Sequence, residues 1–146
     1  MPLISLTQEV LDRGKLPEVG WSPAKLNSCN ENKASKGDST NYFFEFICTG
    51  GPEKKSINSG RFITTMFNSK ALALDGSRGM PDVINKFTVM AASLLGVHVD
   101  ELSPDDYDTD KWVGKTCWIK IEIMPDNTGK LVTMITDFSS DTEIPF

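Results

Sequence analysis

Hydrophobic and polar positions alternate with a period of two in several stretches of the chain and with a helical period in one. In 41 NYFFEFIC 48, Tyr42, Phe44, Phe46 and Cys48 fall on one side of an extended chain, and Phe43, Glu45 and Ile47 on the other. In 116 TCWIKIEI 123, Cys117, Ile119, Ile121 and Ile123 form one apolar row, which leaves Thr116, Trp118, Lys120 and Glu122 on the opposite face. The runs 61 RFITTMF 67 and 131 LVTMITDF 138 are β-rich. A further strand is predicted over 19 VGWSPAKLNSC 29, where Pro23 suits an edge or a strand start. The period changes in 81 PDVINKFTVMAASLLG 96, where Val83, Phe87, Met90 and Leu94 make a stripe of helical spacing. Pro81 and Asp82 suit the first turn of this helix and Gly96 its stop. A short helix is expected over 7–13. Polar, turn-rich segments over 30–40, 49–60 and 125–130 read as loops.

The resulting order is three strands, a helix, then two strands. That is the element order of a mainly β fold, a five-stranded OB-fold barrel with one helix between strands 3 and 4. Closure into a barrel would also remove exposed edges from strands that carry apolar residues on both faces. With 146 residues the chain fits one domain, here set at 1–138, with an acidic C-terminal tip at 139–146.

Charge adds one feature. The net charge is −5, yet it is unevenly spread: residues 100–146 carry −7 and residues 21–99 carry +3. A mildly basic middle leaves room for a polyanion-binding surface that the total conceals. Cys29, Cys48 and Cys117 lie far apart without a CxxC spacing, which suggests reduced thiols and a cytoplasmic location. The N-terminus has no signal-peptide pattern and no apolar run reaches membrane-spanning length.

Catalytic chemistry is sparse, and a non-enzymatic protein is expected, with no cofactor and no metal. The single histidine, His98, has no nucleophile or ligand set arranged around it in sequence. Asp106, Asp108 and Asp110 imitate the start of a calcium loop, but Lys111 and Cys117 stand where that loop requires Gly and a bidentate Glu. A solvated acidic loop is the expected reading there.

Binding chemistry is better supplied. Single strands are held by cations along the backbone and by rings on which bases stack. Lys33, Lys36, Lys54 and Lys55 in the loops, Arg61 at the start of the third strand, and Phe43, Trp118 and Lys120 on outward rows are the candidate DNA-binding residues. Phe43 reads as core in preference to a contact, because either face of its strand could be inside, and Trp118 is evenly a stacking platform or packing against the N-terminal segment; Trp21 and Trp112 are assigned packing roles.

The last residues, 137 DFSSDTEIPF 146, resemble the acidic C-terminal tip of bacterial single-stranded DNA-binding proteins. The resemblance implies that Phe146, Pro145 and Ile144 anchor in an apolar pocket of partner proteins, with Asp141 and Glu143 as the electrostatic part. The body resembles phage-encoded single-stranded DNA-binding proteins of OB-fold type through 16 LPEVGWSPAKL 26, 41 NYFFEF 46, 60 GRFITTMFN 68 and 112 WVGKTCWIKIEI 123. Together these imply a protein that binds and protects single-stranded DNA, without strong sequence preference, during phage replication or recombination. Its tip would recruit host or phage replication, recombination and repair proteins. The alternative is an interaction module that mimics the host tip.

Overall fold

The computed structural model describes residues 3–34, 37–49, 58–74 and 76–140. After a short helix α1 (Gln8–Arg13) come the strands β1 (Gly20–Lys33), β2 (Thr40–Cys48) and β3 (Phe62–Asn68), the helix α2 (Pro81–Leu95), and the strands β4 (Thr116–Pro125) and β5 (Leu131–Ser140). Three single-turn 3₁₀ helices, Val99–Glu101, Pro104–Asp106 and Thr109–Lys111, link α2 to β4.

All pairings are antiparallel, in the order β3-β2-β1-β4-β5. Five strands with one helix after the third are therefore present, but the sheet is open. A closed barrel needs a hydrogen-bonded ladder between β3 and β5, and among the described residues those two edges approach without one. Side chains of α2 occupy the seam instead. Phe87 sits 5.1 Å from Phe67 of β3 between ring centroids, Lys86 Nζ donates to Thr65 Oγ1 at 3.4 Å, and the helix packs along β5 and β4. The expected OB-fold barrel, and the family resemblance that rested on it, are thereby corrected to an open antiparallel sheet covered by one helix.

The core lies between α2 and one face of the sheet. Alternate residues Phe44, Phe46 and Cys48 of β2, Ile63 and Phe67 of β3, Cys117, Ile119 and Ile121 of β4, and Ile135 and Phe138 of β5 are buried. Trp112, assigned to packing, is wholly buried, and its Nε1 donates to the Asp106 carbonyl at 2.9 Å. α2 runs from Pro81 at its first turn to Gly96, which takes φ 70° and lets Val97 N–H donate to the Ala92 carbonyl at 3.1 Å.

Two local expectations fail for identifiable reasons. Pro23 lies in the central strand rather than at an edge. Its carbonyl accepts from Thr49 N at 2.8 Å, just beyond the first β1–β2 pair, Ala24↔Cys48. The missing N–H of Pro23 points to that same side, away from β4, so the β1–β4 ladder loses no donor at the Pro23↔Trp118 pair. Residues 30–33, read as loop, continue β1. Asn30, Glu31, Asn32 and Lys33 pair with Phe43, Tyr42, Asn41 and Thr40, so that an apolar neighbouring strand imposes the conformation their own propensity disfavours.

The turn before α2 is tightly built. Gly79 has φ +69°, and a Cβ placed there would lie 2.9 Å from Ala73 Cβ and 3.0 Å from the Ala71 carbonyl oxygen. Gly79→Ala is expected to cost about 1–3 kcal/mol by strain and contact together. Gly76→Ala, at φ +80° with nothing within 4 Å, should cost less. Urea unfolding of the two variants side by side reads the difference.

The hairpin between β4 and β5 closes on Asp126. Its Oδ1 accepts from Thr128 N at 2.8 Å, Thr128 Oγ1 at 2.6 Å and Lys130 N at 3.1 Å. These bonds, the Thr128 hydroxyl first, hold the carboxyl below its ordinary value. The stabilisation this group gives is thus present above the unfolded carboxylate range and lost as pH falls through the lower folded value. An NMR titration should show Asp126 protonating below the ordinary carboxylate range, and Asp126→Asn should remove the corresponding acid-side dependence of hairpin stability.

Candidate ligand-binding face

Burial of one face of each strand puts the alternate residues on the other. On β2 and β3 these are Phe43, Glu45 and Ile47 opposite Met66, Thr64 and Phe62. On β1 and β4 they are Trp21 opposite Lys120, Pro23 opposite Trp118, and Lys25 opposite Thr116. Phe62 is 54% exposed and Met66 49%, which makes them the most open apolar side chains of this face. Phe43, Ile47, Trp21 and Trp118 are half-buried beside them. The face therefore carries two apolar groups, the pairs Phe43/Met66 and Ile47/Phe62 flanking Glu45/Thr64, and the set Trp21, Pro23 and Trp118.

A shallow hollow of about 270 Å³ lies over the first group, lined by Asn30, Asn32, Phe43, Glu45 and Thr64. Three strands build it. Asn30 stands opposite Phe43 across β1–β2, and Thr64 opposite Glu45 across β2–β3. A bulge between Leu26 and Ser28 shifts the β1 register. Asn27 Nδ2 then donates to Glu45 Oε1 at 2.9 Å and fixes the carboxylate at the rim.

Of the candidate DNA-binding residues, Phe43, Trp118 and Lys120 share this outward face. Lys33 is the exposed last residue of β1, not part of a loop. Arg61 precedes β3, and its Nη2 donates to the Lys15 carbonyl at 2.7 Å, tying the N-terminal segment down. Asn58 reinforces the same tie: its Oδ1 accepts from Glu18 N at 2.9 Å and its Nδ2 donates to the Glu18 carbonyl at 3.0 Å. Lys36, Lys54 and Lys55, and the tip residues Asp141, Glu143, Ile144, Pro145 and Phe146, lie outside the described residues. Trp21, assigned to packing, stands on the outward face.

Asn30, Asn32, Glu45, Thr64, Phe62 and Met66 were missed as site residues. Alternation in 61 RFITTMF 67 would have revealed Phe62, Thr64 and Met66 once Ile63 and Phe67 were placed inside. Nothing in the polar run 30 NENK 33 marks Asn30 and Asn32, because only the pairing with β2 puts them on the face.

Other titratable groups have structural roles. His98 starts a 3₁₀ turn, with its backbone N donating to Glu101 Oε1 at 3.3 Å. Asp106 and Asp108 cap the next two turns, accepting from Ser103 N at 2.8 Å and Asp110 N at 3.3 Å. Among the described residues no group of three or more His, Cys, Asp or Glu is arranged to hold a metal ion. Burial lowers the Lys86 pKa beside Phe67, and burial raises those of Cys29 and Cys48.

The expected clamp on single-stranded DNA needs a barrel whose loops close over a groove, and the open sheet does not supply it. The DNA-coating function expected on that basis is corrected accordingly. No helix among the described residues is long and apolar enough to cross a membrane. In comparison with known proteins, the chain matches no protein-family model and no curated sequence.

Proposed function

We propose that the protein is a non-enzymatic adaptor: it holds a ligand on the outward face of its open sheet and engages a partner protein through residues 141–146. One observation carries the first half. Phe62 and Met66 are about half exposed at outward positions of β3 on either side of Thr64, each paired across the ladder with an apolar residue, Ile47 and Phe43 respectively. Apolar side chains grouped on an exposed sheet face mark a contact surface, whereas scattered ones need no explanation. The second half rests on sequence, where Asp141 and Glu143 precede Ile144, Pro145 and Phe146. An aromatic anchor stiffened by proline and preceded by acids suits a cation-rimmed apolar pocket. Replication, recombination and repair proteins with such a pocket are the proposed partners. The reading places the adaptor in a reducing cytoplasm, in keeping with three cysteines, Cys29, Cys48 and Cys117, that form no disulfide.

The two halves are separable. Calorimetric titration of a purified repair protein bearing a cation-rimmed apolar pocket should give an affinity at least roughly tenfold weaker for the chain ending at residue 140 or for Phe146→Ala. The outward-face variant Phe62→Ser/Met66→Ser should bind that partner as the parent does. Equal affinity of the parent and the shortened chain would overturn the assignment of 141–146.

A further inference from the structure

We infer that the apolar group around Phe62 and Met66 is covered by the N-terminal arm of a second copy of this chain, two copies exchanging arms. The inference rests on the outward face being a contact surface and names what that surface takes. The arm itself lacks cover. Leu3, Ile4, Leu6, Val10 and Leu11 are all exposed, Leu3 at 90% and Ile4 at 77%. Apolar side chains so grouped on one short segment mark a contact element, as they do on the sheet face. The helix α1 requires a partner for a second reason. It spans six residues, Gln8–Arg13, well short of the roughly 12–15 at which an isolated helix holds in water. Thr7 caps it, with Oγ1 accepting from Val10 N at 3.2 Å, but one cap offsets only part of the cost of nucleation. The remainder has to come from packing of Val10 and Leu11, and neither is packed within the single chain.

The root of the arm is fixed beside the face. Arg61 Nη2 donates to the Lys15 carbonyl at 2.7 Å, and Asn58 bonds both the N–H and the carbonyl of Glu18. Pro17 between them is buried. Phe62 follows Arg61 directly, so the arm departs from the end of β3 where the exposed apolar group begins. With residues 8–13 helical and the others extended, residues 3–14 reach about 30 Å from that root. The seven-residue strand β3 is about 23 Å long, so the arm can run the length of a neighbour's β3. In the single chain the arm and the face are both open. Two copies related by a two-fold axis cover both at once, because each arm meets the other copy's face and every contact is made twice. Charge favours this occupant over a lipid surface. Residues 3–15 hold two acidic and two basic residues, and a segment without net positive charge gains nothing from anionic headgroups.

Sedimentation equilibrium of the full chain over a range of concentrations should show a monomer–dimer equilibrium. The arm variant Leu3→Ser/Ile4→Ser/Leu6→Ser and the face variant Phe62→Ser/Met66→Ser should each weaken dimerisation roughly tenfold or more. Both should keep the parent's circular dichroism, since the altered side chains are exposed. In a mixed sample of isotope-labelled and unlabelled chains, NMR contacts should join Leu3, Ile4 or Leu6 methyls of one copy to the Phe62 ring of the other. Contacts of the arm with Phe62 of its own copy, or a chain that stays monomeric at about 1 mM, would overturn the exchange. Loss of the dimer in the face variant alone would overturn the arm as occupant and leave the face as a contact surface. Loss in the arm variant alone would overturn the inference and the contact role of Phe62 and Met66 together.

Discussion

Replacing Trp112 by alanine should lower the unfolding free energy by about 3–5 kcal/mol, a large part of what a domain of this size possesses. Trp112 has no exposed surface and meets three other rings: Phe44 at 6.1 Å, Phe87 at 5.9 Å and Tyr107 at 5.8 Å between centroids. Truncation would empty the space where β2, α2 and the acidic linker converge. It would also strip the Asp106 carbonyl of the indole N–H that donates to it at 2.9 Å. Trp112→Phe separates the two losses, since it keeps most of the packing and removes the donor. That variant should therefore lie between the parent and Trp112→Ala, as read by urea midpoints at constant slope. If Trp112→Ala unfolded with the parent's midpoint, the indole would not be a core residue.

The same residue shows what the sequence made legible. Trp112 could be assigned to packing, but Trp21 was assigned to packing on the same grounds and stands on the outward face. α2 was readable, from Pro81, the Val83–Phe87–Met90–Leu94 stripe and Gly96, all local signals. Closure was not readable. The order of strands and helix is common to open and closed sheets, and what separates them is whether β3 and β5 exchange backbone hydrogen bonds. That depends on twist and on the side chains of α2 in the seam, neither of which leaves a periodic trace in the sequence. For the same reason Asn30 and Asn32 were lost. Asn, Glu and Lys on both faces of 30–33 carry no alternation, so only pairing with Phe43 and Asn41 makes that segment a strand. Phe43 reads as core from the sequence, because either row of β2 could face inward, and the structure places it outside instead. The neighbours in space decide it, with Phe44 meeting Trp112 and Phe87 inside while Phe43 faces Asn30 and Met66 outside.

Phe87→Ala should be nearly as costly as the loss of Trp112, about 3–4 kcal/mol, although Phe87 is only half-buried. The reason is its position in the seam. Its ring lies 5.1 Å from Phe67 of β3, 5.9 Å from Phe44 of β2, 5.9 Å from Trp112 and 5.7 Å from Tyr107. Edge-to-face and offset pairs of this kind add about 0.5–1.5 kcal/mol each beyond the area they bury. Because no ladder joins β3 to β5, this ring is a principal link between α2 and the β3 edge, together with the contact of Lys86 with Thr65 and Phe67. Its removal should loosen that edge more than the rest of the sheet. Amide hydrogen exchange would then accelerate in β3 before β1 and β4 in the variant. Trp112 and Phe87 share a contact, so the double alanine variant should lose less than the sum of the single losses, with a coupling of roughly 0.5–3 kcal/mol. Uniform acceleration across all five strands would mean that the seam is held by something other than this ring. Strict additivity of the two losses would mean that the rings act independently.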